Sequence, residues 1–122
     1  MSIRDELTAV LVRHRGWLAV RIEQIAACID ASTARSQAAD HRLAHALELV
    51  HQIKGTSGSV GFVEVSQAAE ALESHLKSMA AEPDAGSADE AVARAWDLLA
   101  ALQARADSAR PDRSKLLSEL GE

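Results

Sequence analysis

The chain has 122 residues, enough for one domain with a single core and too few for two independent ones. Its apolar residues are almost all aliphatic, with two Trp, one Phe and no Tyr, which favours helix packed on helix. Thirteen Lys and Arg stand against eighteen Asp and Glu, a net charge of -5, so a nucleic-acid partner is not expected. The single cysteine, Cys28, has no second thiol for a disulfide or a zinc site and reads as a buried core residue in a reducing compartment. No apolar run reaches the roughly 20 residues needed to cross a bilayer, and no basic-then-apolar signal opens the chain, so a cytoplasmic location is expected.

From Ser2, apolar residues at Ile3, Leu7, Val10, Leu11, Leu18, Ile22, Ile25 and Ile29 recur at spacings of three, four and seven, the stripe of an amphipathic helix. Ser2 with Asp5 resembles a capping signal, and Asp5 and Glu6 suit a positive helix start. At Gly16 two readings stay open: a short N-terminal helix followed by a longer one, or a single helix continuous through the glycine. The polar run from Asp30 to Asp40 then reads as a connection. A second helix is expected over about 37–60 and a third over about 63–81, the latter with Val65, Ala69, Leu72, Leu76 and Met79 inward. Pro83 and Gly86 interrupt the pattern, and Ser87 with Glu90 forms a capping box for a fourth helix whose inward stripe is Val92, Trp96, Leu99 and Leu102. The expected architecture is all-α, an antiparallel up-and-down four-helix bundle over residues 1–110. Residues 111–122 follow as a short tail whose Leu116, Leu117 and Leu120 could dock on the bundle or on another copy. A monomer is expected, with a tail-mediated dimer as the alternative.

The segment "ELVHQIKGTSGSVGF", residues 48–62, is the unusual one. It places three glycines, Gly55, Gly58 and Gly61, in and just after a helical pattern, although each interior Gly costs roughly 1 kcal/mol relative to Ala. At 100° per residue, Leu43, Ala46, Leu47, Val50, Ile53 and Ser57 form the buried side and His51 stands at its edge, facing water. Lys54, Gly55 and Gly58 surround His51, because positions three, four and seven later return to the same face. Missing side chains there would let another macromolecule reach the imidazole, and the lysine would offer a charge-assisted hydrogen bond to a phosphoryl group. Imidazole is itself a nucleophile at neutral pH. No phosphate-binding glycine loop or magnesium-holding carboxylate cluster is present, so a partner would bring the metal and the donor. These residues describe a phosphoryl carrier with no ATP site of its own, not a stand-alone kinase.

Here the sequence resembles the histidine-containing phosphotransfer domains of bacterial and plant phosphorelays. Their motif, H-x-x-K-G-x-x-x-x-x-G, is matched by His51, Lys54, Gly55 and Gly61, with small residues at Ser57 and Gly58; Leu72-Glu73 is similar to the family's recurrent Leu-Glu pair. The resemblance extends over roughly residues 3–106. It implies a four-helix bundle with an exposed histidine midway along a helix, shuttling a phosphoryl group between aspartates of response-regulator receiver domains or from a hybrid histidine kinase. It implies phosphorylation of His51 on Nε2, stabilisation by Lys54, an open docking face at Gly58, no cofactor in this chain, and magnesium supplied by the receiver.

The expected partner surface comprises Leu47, Glu48, Gln52, Gly55, Gly58 and Phe62, with Leu47 and Phe62 as its apolar centre. Two other readings share the histidine: the phosphoacceptor domain of a chemotaxis-type kinase, phosphorylated in trans, and a non-catalytic helical adaptor. The end of the chain at Glu122 weighs against a fused kinase. A kinase dimerisation hairpin fits poorly, because "HQIKG" lacks the acidic residue and the Pro that usually follow such a histidine. His41 and His45, one turn apart near Glu48, could hold a metal, but no third ligand from another segment is identifiable, so no metal site is assigned. Those two histidines, with His14 and His75, read as solvated or bundle-edge residues, and Glu64, Glu70 and Glu73 as a solvated acidic face.

Overall fold

A computed structural model describes residues 2–31, 37–81 and 88–109. The connection after Asp30, the Ser87 end of the capping box and the tail from Arg110 fall largely or wholly outside the described residues. Four helices follow one another: α1 (Ile3–Ala31), α2 (Gln37–Ser59), α3 (Val63–Ala81) and α4 (Ala88–Asp107). Neighbours in sequence pack together and α4 closes against α1, which gives the all-α four-helix bundle.

At the start of α1, the amide of Asp5 donates to Ser2 Oγ at 3.1 Å, so the capping signal is real. The helix then runs unbroken through Gly16, so of the two readings the continuous one holds, and the short N-terminal helix is its first turns. Gly16 is exposed, with nothing within 4 Å of where a Cβ would stand, while Leu11, His14 and Leu18 on either side are buried. Packing on both sides outweighs one poor helix former.

The core takes Leu11, Leu18, Ile22, Ile25 and Ile29 from α1, and Ala46, Leu49, Val50 and Ile53 from α2. From α3 it takes Val65, Ala69, Leu72 and Leu76, with Met79 half-buried at its margin, and Cys28 is buried as a free thiol. Three expectations change. Trp96 is 38 % exposed, because α4 turns Ala95, Leu99, Leu102 and Ala106 inward and the small alanines let it lie close to the bundle. Ile3 and Val10, expected on the inward stripe, are exposed.

The third concerns His14, which is a buried residue and not a bundle-edge one. It lies three residues after Leu11 and four before Leu18, on the inward stripe. Its Nε2 and Ser57 Oγ are joined by a 3.0 Å hydrogen bond, and its ring stacks on Trp17 and Phe62. Burial pushes the imidazole below its ordinary value of 6.5, which favours the neutral form. His75 is half-buried, and its Nε2 donates to the Ala91 carbonyl, tying α3 to α4.

Helix α2 ends at a glycine. Gly61 has φ 88°; its amide donates to the Gly58 carbonyl at 3.2 Å and the Phe62 amide to the Ser57 carbonyl at 2.9 Å. This paired 5→2 and 6→1 pattern satisfies the helix end while reversing the chain, and it needs a left-handed residue at Gly61. The Phe62 carbonyl accepts from the Ser66 amide as α3 begins, so α2 and α3 are joined by a very short turn. Replacing Gly61 with Ala places an L-residue in the left-handed region and is expected to lower stability by about 1 kcal/mol. Urea unfolding of the two proteins checks this, and an unchanged midpoint would remove the turn from the list of stabilising features.

Candidate functional site

The site is built where α2 and α3 pack after that turn. His51 lies midway along α2 with its side chain 73 % exposed; Lys54, one turn on, is half-buried; Glu73, from α3, is only 5 % exposed. The Nδ1–H of His51 donates to Glu73 Oε2 at 2.7 Å, since a carboxylate can only accept. Lys54 Nζ donates to the other oxygen, Oε1, at 3.2 Å, and Lys77 Nζ stands 3.9 Å from that oxygen, one turn along α3. One carboxylate thus holds a histidine and a lysine of the neighbouring helix in a fixed relation.

Burial alone would raise the Glu73 carboxyl. The hydrogen bonds from His51 and Lys54 and the charges of Lys54 and Lys77 outweigh it and hold the group below its ordinary value of 4.5. An ionised Glu73 fixes the tautomer of His51: Nδ1 keeps its proton, and the lone pair of Nε2 is left on the side away from Glu73. The ring is therefore oriented as a nucleophile without a separate base.

Glu73 corrects the sequence expectation. It is not part of a solvated face, whereas Glu64 and Glu70 are exposed. On α3, Glu73 falls at the edge of the Val65–Ala69–Leu72–Leu76 stripe, where periodicity cannot decide between core and solvent. The available signal was its place next to Leu72 in the Leu-Glu pair. Lys77, four residues on, was likewise not singled out.

The two α2 glycines of the histidine face differ. A Cβ on Gly55 would meet nothing within 4 Å, so this position is open to solvent. A Cβ on Gly58 would lie 3.4 Å from Ser66 Oγ, and Ser66 itself donates to the Lys54 carbonyl at 2.9 Å. Gly58 therefore serves the close approach of α3 as well as the exposed face.

Among the remaining expected contact residues, Glu48 and Gln52 are exposed and Leu47 is half-buried. Phe62 departs from expectation: at 4 % exposure its ring is inside the bundle against His14, so it cannot form the apolar centre of a docking surface. An apolar groove lies instead between α1 and α2, lined by Val10, Trp17, Thr56 and Val60, with Arg13 and His14 beside it. His41 and His45 are exposed, and among the described residues no group of three or more His, Cys, Asp or Glu is placed to hold a metal ion.

A family model described as Hpt domain matches residues 15–111, most of the chain and all of this site. The chain belongs to the Hpt domain family. Its class role is histidine phosphotransfer in phosphorelays, where Hpt domains work with receiver domains and kinases. Searches of curated proteins and of solved structures each found no match. No helix among the described residues of this Hpt domain is long and apolar enough to cross a membrane.

The lowered Glu73 carboxyl gives the Hpt domain an acid-sensitive element. Between its folded-state value and 4.5 the folded chain binds fewer protons than the unfolded one, so this contribution is complete above 4.5 and is lost as pH falls through the folded-state value. Urea unfolding at pH values on both sides of 4.5 is expected to show a steeper acid loss of stability for wild type than for Glu73→Gln, which cannot take up the proton. Parallel curves would mean that the fold does not lower the Glu73 carboxyl.

Proposed function

We propose that His51 carries a phosphoryl group between aspartates of receiver domains. What supports this reading above all is the pairing of an exposed imidazole with a buried carboxylate on its Nδ1, which in the neutral ring puts the lone pair on Nε2. In the forward step Nε2 attacks the phosphorus of an aspartyl phosphate. An N–P bond forms, the acyl O–P bond breaks, and the electron pair leaves with the receiver's carboxylate. The imidazole then bears the phosphoryl group on Nε2 and a proton on Nδ1, and the positive charge on the ring lies 2.7 Å from Glu73. Lys54 has three donors and spends one on Glu73, so it retains capacity for a phosphoryl oxygen. The magnesium ion belongs to the receiver in this reading, and the chain contributes position and charge.

The docking surface spans Gly55, Glu48 and Gln52 around His51, flanked by Leu47 and Gly58.

Incubation with a panel of phosphorylated receiver domains is expected to move acid-labile phosphate onto wild type and not onto folded His51→Gln. No label from any active receiver, with label from an ATP-binding kinase domain, would replace the carrier reading by the kinase-substrate one; no label from either would leave the adaptor. Gly55→Leu isolates the docking requirement, because nothing in the fold opposes the new side chain. It is expected to keep or slightly raise stability while slowing transfer on the order of tenfold to a hundredfold. Transfer at the wild-type rate would show that the partner does not approach over Gly55.

A further inference from the structure

Three ionisable heads converge on one carboxylate. The His51 ring is 2.7 Å from Glu73 Oε2, and the ammonium groups of Lys54 and Lys77 are 3.2 and 3.9 Å from Oε1. Among the described residues these are the ionisable groups paired with it, and the two lysines are not equivalent. Lys54 reaches across from α2, is half-buried and hydrogen-bonds Oε1. Lys77 lies one turn along α3 from Glu73, is exposed, and has its Nζ inside ion-pair range but beyond hydrogen-bond distance. Oε1 therefore has one cation bound and a second held beside it.

The carrier reading of His51, on which this inference rests, calls on Lys54 twice. In the resting site it balances Glu73; once Nε2 bears a phosphoryl group, it also serves a phosphoryl oxygen. Its three donors allow both contacts, but its single charge cannot fully compensate two anions. With a neutral ring, Glu73 and the two lysines leave the site one positive charge in excess. A phosphoryl group of about −2 on a ring that becomes cationic brings the site close to neutrality. Without Lys77 the same step ends with an uncompensated negative charge beside a carboxylate that is only 5 % exposed. We propose that Lys77 is a reserve counter-ion: as Lys54 turns toward the phosphoryl group, the Lys77 ammonium closes by about 1 Å onto Glu73 Oε1 and holds the carboxylate, and with it the Nδ1 hydrogen bond of His51, in place.

The exchange needs no backbone movement. Lysine carries its ammonium on a flexible four-carbon stem, the Lys77 side chain is 65 % exposed, and Glu followed four residues later by Lys is the favoured order on a helix. Of the two bonds that α2 gives Glu73, the one from Lys54 is longer, 3.2 Å against 2.7 Å, and lies above the range of a strong charge-assisted contact, so it is the one that yields. Lys77 shares α3 with the carboxylate and touches no reacting atom. It is a positioning residue that acts through Glu73.

Titration of the Glu73 carboxyl in the full chain, followed by its Cδ resonance, tests the exchange without any phosphate. Lys77→Met and Lys54→Met are each expected to raise the midpoint by less than about half a unit, because the remaining lysine takes over Oε1, and the double variant by about one unit or more. Lys77→Arg should restore the wild-type midpoint. Additive steps would overturn the proposal, since they would show two independent charges and not one replacing the other. A second arm leaves the site unsubstituted. Phosphoramidate, a small donor that needs no protein partner, is expected to form phosphohistidine on wild type and to shift the Lys77 Nζ and Cε resonances, with no such shift in His51→Gln. Phosphohistidine formed with the Lys77 resonances unmoved would overturn the proposal. No phosphohistidine from phosphoramidate or from any receiver would remove the carrier reading and this role with it, even where the titration shows the two lysines exchanging.

Discussion

The arrangement of this protein depends on one buried carboxylate. Glu73 is almost fully shielded between α2 and α3, where an unpaired charge would be penalised by several kcal/mol. Both of its oxygens are taken up by α2, one by His51 and the other by Lys54, with Lys77 nearby on its own helix. Removing either α2 partner leaves part of that charge unsatisfied, so the carboxylate ties the register of the two helices to the orientation of the histidine. The same interaction that makes α3 fit α2 selects the tautomer of the His51 ring.

The short turn between these helices makes that register attainable. Gly61 reverses the chain, Phe62 turns inward, and Ser66 on the first turn of α3 reaches the Lys54 carbonyl because Gly58 leaves room. Phe62 also stacks on His14, whose Nε2 meets Ser57, so the end of the histidine helix is bound to α1 as well. His51 is consequently mounted on a helix held on both sides, with no hinge near it. A side chain fixed on a packed helix is positioned more exactly than one on a loop, which matters in the proposed reading, where the receiver brings the metal and the donor.

Much of this was legible in the residues. The helices follow from three-and-four periodicity, and the spacing of His51, Lys54, Gly55 and Gly61 carries the resemblance to the Hpt family, which the match over residues 15–111 shows. The failures share a cause. His14, Glu73 and Phe62 were each judged by residue type: polar groups were set in solvent and an aromatic near the site on its surface. In the fold a polar group goes inside when a neighbouring element answers it, as Ser57 does for His14 and the α2 cations do for Glu73, and periodicity within one helix does not report the neighbour. Trp96 has a different cause, because packing by Ala95 outweighs local size, and at Gly16, where the sequence leaves both readings open, packing by Leu11 and Leu18 decides for a continuous helix.

The glycines of the histidine helix have three separate causes: a left-handed turn at Gly61, a close helix approach at Gly58, and an open surface at Gly55. Of the three, Gly55 alone meets no packing or turn requirement inside the fold, which fits the docking face proposed around His51. The proposed chemistry at that surface makes a matching demand on Glu73. A phosphoryl group placed on Nε2 leaves again most easily if the departing imidazole is already a stable neutral tautomer. With Nδ1 protonated and held by Glu73 both before and after transfer, the ring needs no proton in either direction. A carrier built this way requires no general acid or base of its own, and the direction of transfer is then set by the two partners and not by the bundle.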